Sequence, residues 1–300
     1  MAKAISLSWD LPMEICRDLR LEEFTAVDPG IPEITFWHDD RVGWRSPEQL
    51  STDKERYRDR RVVFLTRDLR DTTVSYYFQR SLRPDNPYTG SLGEFIDEIS
   101  GSLRTCVAFW NIWHDHQDVP RSFLLTSYER LTTDTPGELA RIMAFCGLPA
   151  VGPDVLREAV AFASFPSMRA MELSDALDSE RLRPGRPGDP ESFKTRRGII
   201  GGFRDYLTRT QIAEADSLIR TALVPEWHPM AFAADEHRTT SITGSLEDPQ
   251  LPDLRQKQRQ HGGDHDQPGR GPQGGAQPEQ LRCGPGEQIA EGKYDERAQS

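Results

Sequence analysis

What the 300-residue sequence lacks narrows it first. No stretch approaches the roughly 20 consecutive apolar residues that a membrane-spanning helix needs. The N-terminus, Met1-Ala-Lys-Ala-Ile-Ser-Leu-Ser-Trp-Asp10, meets an acid too early for the apolar core of a signal peptide. No C-x-x-C pair occurs. Cys16, Cys106, Cys146 and Cys283 stand far apart, so a zinc or disulfide-redox reading has no support and a reduced, cytoplasmic setting is expected. Positive charge is scarce: 37 Lys+Arg against 48 Asp+Glu leave a net charge of −11. That balance excludes a general nucleic-acid or anionic-membrane surface, which needs a basic face, but leaves room for one small basic pocket. Apolar residues make up only 36%, beside 23 Gly and 22 Pro, as in a chain of which part does not fold.

The unfolded part is expected at residues 233–300. From Ala233 onward there is no Phe, Trp, Val or Met, and Gln, Gly, Pro and Asp dominate. Such a segment cannot bury enough apolar surface to offset its ordering entropy. Gly269-Arg-Gly-Pro-Gln-Gly274 matches the dinucleotide fingerprint in letters only, because no strand precedes it, no helix follows it and Pro272 interrupts it. His261-Gly-Gly-Asp-His265-Asp is read as solvated tail. The folded domain is expected over residues 1–232.

Within the domain, strand and helix signals alternate. Glu33–His38, Arg61–Thr66 and Phe123–Tyr128 read as short strands. Thr72–Leu82 reads as a helix that Asp71 could cap. Ser91–His116 reads as one long helix, with Phe95, Ile99, Leu103, Val107 and Trp110 at spacings of three and four. Thr135–Cys146 (with Gly147 as C-cap), Pro153–Ala163 and Thr210–Leu223 complete the helices, and 178–202 reads as loop. The fold class is therefore α/β, with a mainly parallel sheet flanked by helices. Ligands of such sheets sit beyond the C-terminal ends of the strands, which directs attention to the residues after Trp37, Thr66 and Tyr128.

Two segments carry the chemistry. In Thr66-Arg67-Asp68-Leu69-Arg70-Asp71-Thr72-Thr73-Val74-Ser75-Tyr76-Tyr77, an arginine stands where a strand ends and a serine lies about one turn into the following helix. A planar fork of donors, a hydroxyl and a helix start suit phosphate oxygens. In Phe193–Arg204, Lys194, Arg196, Arg197 and Arg204 fall in a stretch without acids, and Gly198, Gly201 and Gly202 allow close backbone approach.

Together these segments resemble the sulfotransferases that use 3′-phosphoadenosine-5′-phosphosulfate (PAPS). The first follows that family's strand–Arg–turn–helix with V-S-Y-Y. The second, Arg196-Arg197-Gly198-Ile199-Ile200-Gly201-Gly202-Phe203, is similar to its closing R-K-G-x-x-G-D-W. Leu125-Thr-Ser-Tyr128-Glu129 resembles its strand with Y-E, and Ala163-Ser-Phe165-Pro-Ser-Met168 the segment flanking the adenine. The resemblance runs from about Glu33 to Leu223 and implies a P-loop-NTPase-like fold. It implies that Arg67 and Ser75 hold the 3′-phosphate, with Arg196, Arg197 and the Gly198 backbone on its other side. Tyr128 would reach the adenine, with Phe165 and Met168 beside it. His38, in Phe36-Trp37-His38-Asp39, would be the general base, a role suited to a group that titrates near neutrality.

The implied reaction moves a sulfuryl group from PAPS to a hydroxyl or amine of a small-molecule, lipid or carbohydrate acceptor, releases 3′-phosphoadenosine 5′-phosphate (PAP) and needs no metal. One family part is missing from the sequence: nothing resembles the P-K-S-G-T-T-W phosphosulfate loop with its first strand. The favoured explanation is a native chain that starts further upstream, with a truncated gene and a binding module as the others. The alternative function is a catalytically inactive PAP-binding remnant or scaffold. A phosphoryl-transferring kinase would need G-x-x-x-x-G-K-[ST], which the sequence does not contain. Acceptor identity and oligomeric state stay open.

Overall fold

A computed structural model describes residues 1–16, 20–83, 87–176, 179, 182–186 and 188–236. Helices α1 (Ala2–Ser8) and α2 (Glu22–Val27) precede strand β1 (Arg61–Thr66). Helices α3 (Leu69–Leu82), α4 (Leu92–Asp97) and α5 (Leu103–Asp115) then lead to strand β2 (Ser122–Ser127). After it come α6 (Tyr128–Thr133), α7 (Thr135–Cys146), α8 (Pro153–Phe162), α9 (Phe165–Ser174), α10 (Arg209–Ala222) and α11 (His228–Ala231).

The two strands pair in parallel, from Arg61 opposite Ser122 to Thr66 opposite Ser127. Their β-branched and aromatic residues suit a pleated surface covered by helices. On one face, Phe64 lies 5.7 Å from Trp113 and 5.8 Å from Phe109 of α5, and 5.4 Å from Trp227, ring centre to ring centre. On the other face α7 answers: Glu138 accepts from the Thr126 hydroxyl at 2.9 Å, and Arg141 donates to the Leu125 carbonyl at 3.2 Å. The α/β class with a parallel sheet and flanking helices thus holds. A second core joins Ala4, Ile5, Phe24 and Ile31 to Leu139, Met143, Leu148 and Ala159. A third gathers Val74, Ile96, Phe203, Leu207 and Ala234.

Several expected elements differ. Glu33–His38 forms no strand and finds no strand partner among the described residues. The chain turns away at once, because Asp39 is buried and collects Lys54 (2.8 Å), Tyr57 (2.8 Å), Arg56 and the Trp113 indole N–H (3.1 Å). The next two residues, Asp40 (φ 59°) and Arg41 (φ 52°), are left-handed, a conformation rarely held by consecutive non-glycine residues. The single long helix expected over Ser91–His116 is two. Gly101 interrupts it at φ +72°, where a Cβ would meet the Gly43 carbonyl oxygen at 2.1 Å. Ser91 and Glu94 form a capping box for α4, which local spacing of apolar residues does not reveal.

The helix expected from Thr72 starts at Leu69. Asp68, not Asp71, is its N-cap, accepting from the Arg70 and Asp71 amides. Ala233, Ala234 and Asp235 also pack on the domain: Ala234 N–H donates to Asp68 at 3.1 Å, and Asp235 pairs with Arg70 at 3.1 Å. From residue 237 on, the expected tail, with Gly269–Gly274, His261, His265 and Cys283, lies outside the described residues.

Candidate active site

Parallel pairing brings two chain turns side by side at the C-terminal ends of the strands. From β1 comes Arg67, and from β2 comes Tyr128, the first residue of α6. The Arg67 guanidinium carbon lies 4.4 Å from the centre of the Tyr128 ring. Glu129 joins the turns by accepting from the Asp68 amide at 3.0 Å. Glu129 is buried, its second carboxylate oxygen has no hydrogen-bond partner among the described residues, and burial raises its carboxyl above the ordinary range.

Arg67 reaches a third segment, donating to the Ile199 carbonyl at 3.4 Å. Its Nε is buried and has no partner among the described residues. An unpartnered arginine donor costs free energy, roughly 1–3 kcal/mol for a buried polar group, so it marks a place where an acceptor fits. Asp71, four residues on, accepts from Gly201 N–H at 2.7 Å and Phe203 N–H at 2.8 Å. Burial raises its carboxyl, opposed by the Arg67 charge and these two amides.

The glycine loop is shaped for close approach. Gly198 is left-handed (φ +66°), and a Cβ there would stand 2.6 Å from the Phe165 ring. Phe165 and Gly198 are therefore in contact, and Met168 stands one turn further along α9. Gly201 is left-handed as well (φ +76°). Arg196 and Arg197 come together at Tyr206, but both guanidiniums already hold carboxylates. Arg196 bonds Glu191 at 2.8 Å and the Tyr206 hydroxyl at 2.6 Å, and lies 4.4 Å from the Phe78 ring centre. Arg197 bonds Asp205 at 2.6 Å. Ser75 is half-buried on α3 between Asp71, which bonds the loop amides, and Phe78, which lies against Arg196.

His38 is exposed, with its ring edge-on to Phe36 at 4.9 Å. It stands immediately before Asp39, whose partners fix this corner to α5. Burial alone would raise the Asp39 carboxyl, but hydrogen bonds from Lys54 and Tyr57, with the Lys54 and Arg56 charges, hold it below the ordinary range. The corner continues to Val42, which with Thr66, Arg67, Tyr76, Trp110 and Tyr128 lines a cavity of about 240 Å³ beside Arg67.

The Asp71 clasp, the Glu129 tie and the Asp39 hub escaped the sequence reading. Their partners lie far along the chain, so no local spacing marks them.

Comparison with known proteins decides the family. Residues 50–227, more than half of the chain, match the sulfotransferase domain. The chain belongs to the sulfotransferase family. Arg67, Tyr128, Phe165 and Arg196–Gly198 lie inside the matched span of this sulfotransferase domain, and His38 precedes it. Among curated sulfotransferases, mouse sulfotransferase 2B1 is 27% identical over 207 residues, covering 67% of this chain and 56% of the relative. Flavonol 3-sulfotransferase of Flaveria bidentis is 24% identical over 168 residues, covering 53% of each. The chain spans about half the length of the curated relatives it matches. Among solved structures, mouse sulfotransferase SULT7A1 complexed with PAP aligns with a TM-score of 0.48 and 19% identity, covering 65% of this chain and 68% of that one.

Proposed function

We propose that this chain transfers a sulfuryl group from PAPS to a hydroxyl or amine of a small-molecule, lipid or carbohydrate acceptor. The observation that carries the reading is Arg67. In a chain of net charge −11, its buried Nε has no partner among the described residues, and its guanidinium lies on the Tyr128 ring beside a glycine loop. Those residues fit the 3′-phosphoadenosine part of the donor, because a guanidinium donor without a partner among the described residues suits a phosphate oxygen, and the missing Cβ at Gly198 lets the Phe165 ring lie directly on the loop.

When bound, PAPS supplies the activated sulfuryl group and leaves as PAP. Arg67 and Ser75 hold the 3′-phosphate from the α3 side. Arg196, Arg197 and the Gly198 backbone close it from the other side, the arginines loosening their grip on Glu191 and Asp205 as they do so. Tyr128, Phe165 and Met168 offer apolar surface to the adenine. His38 takes the proton from the acceptor as its oxygen or nitrogen attacks sulfur. The protein works in the cytoplasm, consistent with free thiols at Cys16, Cys106 and Cys146.

The test is thermal unfolding of the full chain against rising PAP, with ATP as control. A ligand that binds only the native state adds about 2.7 kcal/mol at 100 times its dissociation constant. A PAP-selective rise in Tm supports the proposal. A cooperative melt that PAP leaves unmoved overturns it.

A further inference from the structure

We propose that Asp71 is a positioning residue of the nucleotide site: it sets the glycine loop at the distance from Arg67 at which one anion is reached from both sides. The inference rests on the nucleotide-binding reading above and goes beyond it, since that reading gives Asp71 no part.

The geometry is specific. Asp71 is 2% exposed, so its carboxylate is not available to solvent or ligand. Both oxygens are committed to backbone amides two residues apart, Gly201 and Phe203. Charge-assisted bonds of this kind are stronger than neutral ones, and a paired set restricts orientation as well as distance. The same carboxylate lies 3.7 Å from Arg67 Nη2. That separation attracts the guanidinium without a short hydrogen bond, and Arg67 Nε stays unpartnered. Asp71 therefore grips the loop tightly and steers the arginine loosely.

Neighbouring residues reinforce the direction of this grip. Arg67 itself donates to Ile199, on the N-terminal side of the clasped amides. Arg70, between the two, lies 4.3 Å from the centre of the Phe203 ring and supports the loop from beneath. Gly201 can present its N–H to Asp71 because it is left-handed, which side chains disfavour. The loop is consequently placed by one turn of α3, the same turn that follows Arg67 out of β1. Were the clasp absent, residues 198–203 would be free to drift from Arg67, and the two halves of the cradle would have to be brought together at each binding event.

Asp71→Asn keeps the shape and removes the charge and one acceptor. Its PAP dissociation constant, measured by calorimetry at fixed salt, should rise at least tenfold. A matched control, Ile5→Val in the second core, should lower Tm and leave PAP affinity within twofold. If Asp71→Asn loses stability but binds PAP like the wild type, Asp71 is structural only and the inference falls while the nucleotide reading stands. If the wild-type chain binds no PAP, both fall together. Should Asp71→Asn not fold, amide hydrogen exchange on the wild type decides. Gly201 and Phe203 amides protected to the level of the α3 interior before PAP is added support a loop preset for the ligand, and amides that become protected only once PAP is bound overturn it.

Discussion

Arg67 and Arg70 stand one turn apart at the head of α3, and their surroundings differ sharply. Arg70 is buried among Asp68, at 2.8 Å, Asp216, at 3.0 Å, and Asp235, at 3.1 Å, and lies between the rings of Phe203 and Phe232. It ties the head of α3 to α10 and to the end of the described chain. Arg67 is a quarter exposed, has one long hydrogen bond to a carbonyl and a loose ion pair with Asp71 at 3.7 Å, and its Nε has no partner among the described residues. In an acidic protein, cations are in short supply and carboxylates are not. An arginine with an unsatisfied donor there stands out more than one that is merely present, and the contrast separates the cation that ties the fold together from the one proposed to take a ligand.

Three substitutions break or sharpen that contrast. The largest effect on stability is expected from Arg70→Met, which leaves Asp68 buried without its partner. Breaking one side of a buried ion pair costs about 3–5 kcal/mol, measurable by urea unfolding. Arg67→Ala should instead stay within about 1 kcal/mol of wild type, the lost attraction to Asp71 being offset by removal of a buried donor without a partner among the described residues. Its PAP affinity should nevertheless fall roughly 10- to 100-fold, the loss of a hydrogen bond to a charged group, as read by calorimetry.

The third substitution tests a buried carboxylate on the α7 face of the sheet. Glu138 is buried and receives Thr126, Arg130 and Arg141. Burial pushes its carboxyl up, but these donors outweigh it and hold the carboxyl at about 2, against an ordinary 4.5. A carboxylate depressed in the folded state stabilises above its unfolded pKa and loses that contribution as pH falls through the folded value. Glu138→Gln should therefore cost about 2 kcal/mol at pH 7. The gap to wild type should narrow as pH drops below about 4.5 and vanish near 2. A gap independent of pH would break the assignment.

Local chemistry wrote part of this structure plainly. Helix α7 spans Thr135–Cys146 as read, because Asp134 accepts from Gly137 N–H, Pro136 sits in the first turn, and Gly147 ends the helix at φ +87°. All three signals lie within the segment. The strands at Arg61 and Ser122 were legible for the same reason, being short apolar runs bounded by polar turns. Where the reading failed, a distant atom decided. The break at Gly101 is set by the Gly43 backbone, and the turn after His38 by Lys54 and Trp113. Asp71 was read as a cap because cap residues are judged from the next few positions, yet its partners lie 130 and 132 residues away. The candidate site residues were individually visible. The acids that arrange them were not, since an acid's partner across the fold leaves no local spacing.

Those long separations have a consequence for synthesis. Arg67, Asp68 and Asp71 leave the ribosome early, whereas Ile199, Gly201, Phe203 and Ala234 arrive 130 to 166 residues later. At about 5–20 residues per second, the nascent chain carries Asp68 and Asp71 without these later partners for roughly 7–26 s before the loop that occupies Asp71 exists. A ribosome pause between the two segments lengthens that interval directly, so codon choice over residues 75–195 sets how long the half-built site waits beside the translating ribosome.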